Sequence, residues 1–458
     1  MTQTILVSNR GPLSFRFDVD GALVPAPGGG GLVTALRPLL AGGGATWVSV
    51  TMGPADRAAV DQGLMVDQDL TLLPVPMDDE IYRAAYDVIA NTTLWYCHHH
   101  LFDLPRRPRF DRSWGLAWDG YRTYNQAVAD VVVEHAEEGA AVLVQDYHLS
   151  LLGRMLAEAR PDLRTVSFLH IPFADPNMLH VLPDDTVDEL LAGMAGFGAC
   201  GFHSARWVAG FRACFDDPRS AYAAPATFVS SLSPDHESLL AEAASPACAE
   251  WVERLRTETG GRAIIMRADR MELSKNIVRG MLAYEELLEA RPEWHDKVVH
   301  LAFAYPSRQG LADYLAYGAE VVHTAERINQ RFATDTWVPI LLHTDDNWAR
   351  SLAALTIADV LLLNPIRDGL NLVAKEGPLL NQVDGVLVLS REAGAYDELA
   401  DAALGVNPFD VGGTADALHA ALSMAPEERA RRSVALKAIV WSRTAADWMR
   451  DQLAAAGL

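Results

Sequence analysis

Cysteine is scarce in this sequence, and neither an export signal nor a membrane span stands out. The four cysteines, Cys97, Cys200, Cys214 and Cys248, include no C-x-x-C pair, so a disulfide framework is not expected. The apolar runs are too short to span a bilayer. The first residues lack a basic region followed by an apolar core and a cleavage site. These absences predict a cytoplasmic protein.

Positive charge is also in short supply. The 38 lysines and arginines are outnumbered by 60 aspartates and glutamates, which gives a formal net charge of −22. This balance argues against non-specific binding to nucleic acid and against docking on anionic membranes. Any phosphate site must therefore be built locally, from individual arginines, lysines and helix N-termini. Small molecules are the expected partners, and a homo-oligomer is left open.

The chain, at 458 residues, is long enough for two or three domains. Strand-like apolar runs alternate with helical segments in two series, which is typical of parallel sheets with helical crossovers. The runs are 4–7, 141–144, 165–169 and 196–202, then 262–266, 298–303, 338–342, 360–363 and 385–389. We predict an α/β fold of two doubly wound, Rossmann-like domains, 1–235 and 236–440, facing each other across a deep cleft. A final helix in 441–458 is predicted to cross back to the first domain.

Polar residues follow four strands of the first series. Arg10, Asp146, His170 and His203 each stand just beyond the end of a predicted strand. Because parallel strands end at the same edge of a sheet, these four residues are expected to share one edge. One histidine after a strand is more often structural, but four polar strand ends together indicate a ligand site.

The stretch 358–376, ADVLLLNPIRDGLNLVAKE, is the most informative part of the second series. A buried strand, a polar loop and a helix place Asp368 at the carboxyl edge of the sheet and Glu376 about one and a half turns into the helix. One carboxylate could hold sugar hydroxyls and the other a ribose. The amides at the helix start, a ready phosphate site, are those of Asn371, Leu372 and Val373. Taken alone, an acidic cap and a surface glutamate would be the simpler interpretation.

Three other features bear on ligand binding. Arg270 and Lys275 lie in a strand-to-helix loop and could together neutralise a diphosphate, although a basic surface loop is equally common. The consecutive histidines 98–100 would point in different directions on a helix or a strand, which disfavours a metal site. The Asp18-Val19-Asp20 motif is next to a glycine and is interpreted as a hairpin turn. No metal and no cofactor is therefore expected.

These motifs, taken together, resemble the retaining GT-B glycosyltransferases of the trehalose-6-phosphate synthase family. The matching stretches are Ser8-Asn9-Arg10, Gly30-Gly31-Leu32, Leu94-Trp95, Asp146-Tyr147-His148, Leu169-His170-Ile171-Pro172-Phe173, Arg270 with Ser274-Lys275, Arg367-Asp368-Gly369 with 371–376, and Asn407-Pro408-Phe409-Asp410. They follow the family order along nearly the whole chain. The resemblance implies transfer of glucose, with retention, from a nucleotide-diphosphate glucose to glucose 6-phosphate, giving α,α-trehalose 6-phosphate.

The resemblance also implies a set of donor-binding residues. They are Gly31, His170, Arg270, Lys275, Asp368, Asn371, Leu372, Val373 and Glu376. In that assignment Arg270 and Lys275 hold the diphosphate, and Glu376 holds the ribose. Asp368 and His170 hold the transferred glucose. Fixed cations and a helix terminus then stabilise the charge on the leaving phosphate.

The acceptor-binding residues that the resemblance implies are Arg10, Tyr86, Trp95, Asp146 and Arg308. Asp146 would lie near the attacking hydroxyl of the sugar phosphate. The residues implied to act in catalysis are Asp146, His170, Arg270, Lys275 and Asp368. A paired-carboxylate scheme of the kind used by hydrolases is not invoked, since the leaving phosphate accepts the proton of the acceptor.

The sequence departs from the family pattern at four places. A tryptophan usual in the sugar pocket is missing near Val50, and Gln145 stands where a histidine usually precedes Asp146. The donor loop ends in Asn276 rather than glycine. The segment 230–233 replaces a Pro-Ile-Gly-Ile hinge. These departures leave the phosphate-binding groups intact.

The donor base and two alternative functions stay open at this point. Relatives that depart in the loops 270–276 and 341–347 use GDP-glucose, which favours GDP-glucose over UDP-glucose here. His343, Asp345 and Asp346 are the candidate base contacts, although the two aspartates could equally cap the following helix. The alternatives are a related transferase acting on a cyclitol or another sugar phosphate, and a catalytically silent sugar-phosphate sensor.

Overall fold

The computed structural model describes residues 2–26, 36 and 44–458. The chain forms two compact units: Met1–Ser231 with Ala445–Leu458, called unit 1 here, and Leu232–Thr444, called unit 2. The domain boundaries predicted from the sequence follow residues 235 and 440, whereas the boundaries between the two units follow Ser231 and Thr444. The loop of glycines at 28–31, with the candidate residue Gly31, lies outside the described residues.

Unit 1 is built on a parallel sheet. Its strands are β1 (Thr4–Ser8), β2 (Ser14–Phe17), β3 (Leu23–Ala26), β4 (Thr46–Val50), β5 (Thr71–Val75), β6 (Ala141–Gln145), β7 (Arg164–Leu169), β8 (Ala199–Phe202) and β9 (Ala226–Val229). Seven of them form the sheet in the order β5-β4-β1-β6-β7-β8-β9, with all neighbours parallel. β6 is buried along its whole length, as a strand covered on both faces should be.

Strands β2 and β3 form a separate antiparallel hairpin. The Asp18 carboxylate accepts the backbone N–H groups of Asp20 and Ala22, and Gly21 takes a φ of 79°. Asp18 is therefore occupied by the turn itself, which agrees with the interpretation of this motif as a hairpin turn.

The helices of unit 1 cover its sheet. They are α1 (Pro54–Asp61), α2 (Asp79–Arg83), α3 (Trp95–His99), α4 (Arg112–His135), α5 (Leu152–Ala159), α6 (Pro176–Leu179), α7 (Asp184–Ala195) and α8 (Ala205–Asp216). Between α2 and α3 the chain forms a π-helix, Ala84–Leu94. The hydroxyls of Thr92 and Thr93 donate to the carbonyls five residues earlier, which follows the wider π spacing.

Unit 2 repeats the architecture. Its strands are β10 (Ala263–Arg270), β11 (Val298–Tyr305), β12 (Ile340–His343), β13 (Val360–Leu363), β14 (Val386–Ser390) and β15 (Leu404–Val406). They form one parallel sheet in the order β12-β11-β10-β13-β14-β15. The order reverses between β10 and β13, and ligands of such sheets bind beyond the carboxyl ends of the strands at that switch point.

Helices pack on both faces of this second sheet. They are α9 (His236–Ala243), α10 (Pro246–Thr259), α11 (Ile277–Ala290), α12 (Ala312–Phe332), α13 (Trp348–Ile357), α14 (Val373–Leu380), α15 (Tyr396–Leu399), α16 (Val411–Leu422) and α17 (Pro426–Trp441). The core joins Ile265, Leu362 and Val388 of the sheet to Met281 and Leu287 of α11. The last helix, α18 (Ala445–Ala455), belongs to unit 1.

The α/β prediction is confirmed, but it missed several elements. All nine predicted strands are present, whereas β4, β5, β9 and β15 were not recognised in the sequence. The stretch 236–259, for which the sequence analysis gave no element, forms α9 and α10. In the part of the chain that the structure describes, no helix is both long enough and apolar enough to cross a membrane.

Candidate functional site

Two loops of unit 2 meet at the switch point. Lys275 follows β10 and Asp368 follows β13, and Lys275 Nζ donates to Asp368 Oδ2 at 2.5 Å. Asn371 Nδ2 donates to the same oxygen at 3.2 Å. Burial lowers the pKa of Lys275, but the carboxylates of Asp368, Asp269 and Glu272 outweigh burial and hold the pKa above its usual value. The side chain assigned to the diphosphate, Lys275, and the side chain assigned to the sugar, Asp368, are thus in direct contact.

A buried arginine fixes these loops. The side chain of Arg267 is fully buried and pairs with Asp269 at 2.8 Å. It also donates to the carbonyls of Lys275 (3.0 Å) and Ile277 (3.3 Å) and to Asn364 Oδ1 at the end of β13 (3.2 Å). The sequence reasoning missed Arg267 because the predicted strand ended one residue earlier, so that an arginine next to it suggested a loop.

Asn276 shows how the donor loop tolerates its departure from the family pattern. Its φ of 58° is the left-handed conformation that usually favours glycine, and asparagine adopts it more readily than most residues. Its Nδ2 donates to the carbonyls of Asn364 (2.9 Å) and Pro408 (2.7 Å). The substitution therefore keeps the turn and adds two hydrogen bonds that glycine cannot make.

Arg270 is held by a glutamate that the sequence did not single out. Glu272 is fully buried, accepts Ser307 Oγ at 3.1 Å and lies 3.1 Å from Arg270. Burial raises its pKa, but the charges of Arg270 and Arg308 prevail and the pKa of Glu272 falls to about 2. More than half of the Arg270 side chain is exposed, at 55%. Arg308 donates to the Tyr314 hydroxyl at 2.5 Å.

The start of α14 lies beside Asp368, as the sequence predicted. The first hydrogen bonds of this turn are donated by Ala374 to the Asn371 carbonyl and by Lys375 to the Leu372 carbonyl. The amides of Asn371, Leu372 and Val373 precede them at the N-terminus of the helix. Asn371 has a φ of 77°.

The two lysines of the matching motifs have different environments. Lys375 is almost fully buried, and its Nζ donates to Glu398 Oε2 at 3.0 Å and to the Leu232 carbonyl at 2.9 Å. Burial lowers the pKa of Lys375 despite the attraction of Glu398. Lys375 thus binds partners in the interior of unit 2, whereas Lys275 lies at the carboxyl edge of the sheet.

In unit 1, the predicted common edge is confirmed. Arg10, Asp146, His170 and His203 follow β1, β6, β7 and β8, which are consecutive parallel neighbours in the sheet. Arg10 is exposed. Arg308 follows β11 and therefore belongs to unit 2, unlike the other candidate acceptor residues.

Asp146 has an unusual backbone conformation. Its φ of 73° and ψ of 168° are almost restricted to glycine. Its N–H donates to the Phe168 carbonyl at 2.8 Å, and its Oδ1 accepts the N–H of His170 at 3.2 Å. The carboxylate of one candidate catalytic residue of unit 1 is therefore bound by the backbone N–H of the other.

The His170 ring is engaged on both sides. Its Nε2 lies 3.1 Å from Gln145 Oε1, and its Nδ1 lies 3.1 Å from His203 Nε2. Burial lowers the pKa of His170 to about 3, so the ring is neutral near pH 7. Neither partner was assigned to His170 from the sequence, because side-chain pairing across a sheet edge has no local sequence signal.

Tyr86 and Trp95 lie at opposite ends of the π-helix. The Tyr86 ring stacks on His148, with centroids 5.6 Å apart. Trp95 is buried and stacks on His99 at 3.9 Å. Both aromatic rings are therefore oriented by histidines, and Tyr86, which is half-buried, is the more accessible of the two.

The histidines of the run 98–100 contact other groups of unit 1. His98 Nδ1 accepts the N–H of Ala174, while His100 Nε2 lies 3.5 Å from Asp175. Across residues 2–26, 36 and 44–458, no group of three or more histidine, cysteine, aspartate and glutamate side chains could hold a metal ion. Trp47, three residues before Val50, is buried and donates to Ser8 Oγ.

Solved glycosyltransferases share this architecture over the full length. The E. coli trehalose-6-phosphate structure bound with UDP-2-fluoro glucose superposes with a TM-score of 0.86, at 27% identity over 99% of each chain. An α,α-trehalose-phosphate synthase (UDP-forming) from Burkholderia xenovorans in complex with glucose-6-phosphate gives 0.85, at 27% identity over 99% of this chain and 100% of that one. The protein is therefore a GT-B glycosyltransferase with two Rossmann-like units, as predicted.

Sequence comparison gives the family. The profile of Glycosyltransferase family 20 matches residues 2–456. The trehalose-6-phosphate synthase of Mycolicibacterium vanbaalenii is 33% identical over 477 residues, covering 98% of this chain and 94% of that protein. The chain belongs to glycosyltransferase family 20, and the predicted resemblance to enzymes of the trehalose-6-phosphate synthase type is confirmed.

Replacement of Lys275 by alanine tests the donor-side assignment. We expect Lys275→Ala to lower glycosyl transfer about a hundredfold, because removing one fixed donor that acts on developing charge costs roughly 3 kcal/mol of barrier. Steady-state turnover is the measurement, and circular dichroism verifies folding. Lys297→Ala, at an exposed lysine of the same unit, is the matched control. Wild-type turnover in a folded Lys275→Ala variant would contradict the assignment.

The raised pKa of Glu376 predicts that kcat/KM for the donor depends on pH. Burial raises the pKa of Glu376 to about 7. A carboxylate must be ionised to accept two ribose hydroxyls, so kcat/KM for the donor should fall as the pH drops through about 7. The Glu376→Gln variant, which cannot titrate, should lose this step and have a lower kcat/KM above pH 7. An identical pH profile in the two proteins would remove Glu376 from the donor site.

Proposed function

We propose that this chain is a trehalose-6-phosphate synthase. It transfers glucose from a nucleotide-diphosphate glucose to glucose 6-phosphate, with retention, to give α,α-trehalose 6-phosphate. The observation that carries the proposal is the Lys275–Asp368 pair at the switch point of unit 2, beside the N-terminus of α14. The B. xenovorans relative, solved with glucose-6-phosphate, supports the choice of acceptor.

The donor half of the reaction follows from the charges in unit 2. When the bond between glucose and diphosphate breaks, negative charge grows on the leaving oxygens. Arg270 and Lys275 neutralise it, together with the amides of Asn371, Leu372 and Val373. Asp368 holds the glucose hydroxyls, and Glu376 holds the ribose. Because the whole chain carries −22, such local groups are needed to attract a diphosphate.

The acceptor half relies on unit 1. Arg10 attracts the phosphate of glucose 6-phosphate, and Tyr86 and Trp95 pack against the sugar. Asp146 orients the attacking hydroxyl. The new bond forms on the face of the sugar from which the diphosphate leaves, and the leaving oxygen takes the hydroxyl proton. No metal and no cofactor takes part in this scheme, and the protein acts in the cytoplasm.

Product analysis tests the proposed reaction. Incubation with nucleotide-glucose and glucose 6-phosphate should release one nucleoside diphosphate for each trehalose 6-phosphate formed, with turnover unchanged after thorough chelation. Lys275→Ala serves as the low-activity control. A product formed only with a cyclitol or another sugar phosphate would favour the alternative transferase, and binding without turnover would favour the sensor. Loss on chelation, reversed by one divalent ion, would overturn the metal-free scheme.

We further propose that the donor base is guanine. Asn347, not an aspartate, caps α13 by accepting the N–H of Arg350, so the suggestion that Asp345 and Asp346 form the cap is wrong. Both aspartates are exposed, and Asp345 also pairs with Arg350 at 3.0 Å. A carboxylate can accept paired hydrogen bonds from N1–H and the 2-amino group of guanine, and uracil has no such pair of donors.

The ratio of kcat/KM for GDP-glucose to that for UDP-glucose, at fixed glucose 6-phosphate, tests this choice. We expect the wild-type ratio to exceed one and Asp346→Ala to lower it about tenfold or more, since a site that hydrogen-bonds a particular group rejects analogues without it. Asp335→Ala, at an exposed aspartate of the same unit, should leave the ratio unchanged. A wild-type preference for UDP-glucose would refute guanine selection while leaving the transfer reaction intact.

A further inference from the structure

A chain of side-chain hydrogen bonds links the last helix to His170. Gln452, on α18, is fully buried, and its Oε1 accepts Gln145 Nε2 at 2.9 Å. Gln145 is also fully buried, and its Oε1 lies 3.1 Å from His170 Nε2. On the other side of the ring, His170 Nδ1 lies 3.1 Å from His203 Nε2. All four residues belong to unit 1.

The direction of this chain follows from the atom that Gln452 presents to Gln145, which is its amide oxygen. An amide nitrogen only donates and an amide oxygen only accepts. Because Gln145 Nε2 donates to Gln452, the oxygen of Gln145 faces His170 and requires a proton on His170 Nε2. A neutral imidazole with that proton has a bare Nδ1, which accepts the N–H of His203. The orientation of one amide therefore selects the tautomer of the ring.

Two aromatic side chains pack around the His170 ring and limit its rotation. Phe168 packs 5.1 Å from the His170 ring, and Trp448 packs 5.6 Å from it, between centroids. Trp448 is on α18 one turn before Gln452, so the last helix supplies both a wall and a hydrogen-bond acceptor. A glutamine without its acceptor could rotate its amide by 180° and present a donor to His170 instead.

We propose that Gln452 is a positioning residue for glucosyl transfer, acting through Gln145 to fix the tautomer of His170. Both ring nitrogens of His170 are engaged by Gln145 and His203, and its backbone N–H donates to the carboxylate of Asp146. The role in transfer rests on the proposed function, in which Asp146 orients the attacking hydroxyl. Two buried amides in series therefore orient the ring. The last helix thereby fixes the protonated nitrogen of a ring that is far away in sequence.

Nuclear magnetic resonance of histidine-15N-labelled full-length protein tests the tautomer directly, whatever the activity. Two-bond 1H–15N correlations should show His170 protonated on Nε2 alone in the wild type, with the signal assigned by its loss in His170→Gln. In Gln452→Met, which keeps the size but removes the acceptor, the pattern should shift toward a mixture of tautomers. An unchanged His170 pattern in folded Gln452→Met would overturn the proposal.

Kinetics tests the link to transfer. Gln452→Met and Gln145→Leu should each lower kcat about fivefold to tenfold, the effect of one lost hydrogen bond, and the double variant should be no slower than Gln145→Leu alone. Met449→Ala, which truncates a buried side chain of the same helix, controls for loosened packing and should lower thermal stability without the same loss of kcat. Independent, multiplying effects in the double variant would contradict action through Gln145.

The resonance and kinetic experiments together distinguish a failure of this inference from a failure of the proposed function. If the wild type makes no trehalose 6-phosphate, the proposed function fails, and the resonance experiment still decides whether Gln452 controls the tautomer. If the wild type is active and Gln452→Met shifts the tautomer without changing kcat, the control of the ring stands and its role in transfer is refuted.

Discussion

The candidate donor site depends on the hydrogen bonds that the buried guanidinium of Arg267 donates. A buried cation is costly unless its donors are satisfied, and this one has acceptors from Asp269, Asn364 and two backbone carbonyls. Those acceptors belong to the loop after β10 and to the end of β13. One buried charge therefore joins the two segments that carry Lys275 and Asp368. The pair is held in place before any ligand arrives, which is the condition for effective stabilisation of developing charge.

The sequence predicted the parts of the site that follow from sheet topology. Parallel strands end at one edge, so the positions of Asp146, His170, Lys275 and Asp368 could be inferred from where apolar runs stop. The partners of these residues could not. Gln145 and Gln452 are 307 positions apart, and their contact depends on where the last helix packs.

The other residues and elements that the sequence analysis missed also have physical reasons. Arg267 and Glu272 are charged residues inside the fold, and charged residues are usually exposed, so neither attracted attention in the sequence. The π-helix, which contains Tyr86 and ends just before Trp95, has no period that a sequence pattern would reveal, because its spacing differs from the ordinary helical repeat. The short strands β9 and β15 were missed for want of long apolar runs.

The backbone at Asp146 has a consequence for engineering. A non-glycine residue at φ 73° and ψ 168° stores roughly 1–3 kcal/mol of conformational strain, which glycine would release. A library selected for heat resistance alone would therefore enrich glycine at position 146 and discard the carboxylate that accepts the N–H of His170. In the proposed mechanism Asp146 orients the attacking hydroxyl, so selection for thermal tolerance alone would oppose that role, and directed evolution needs selection for both.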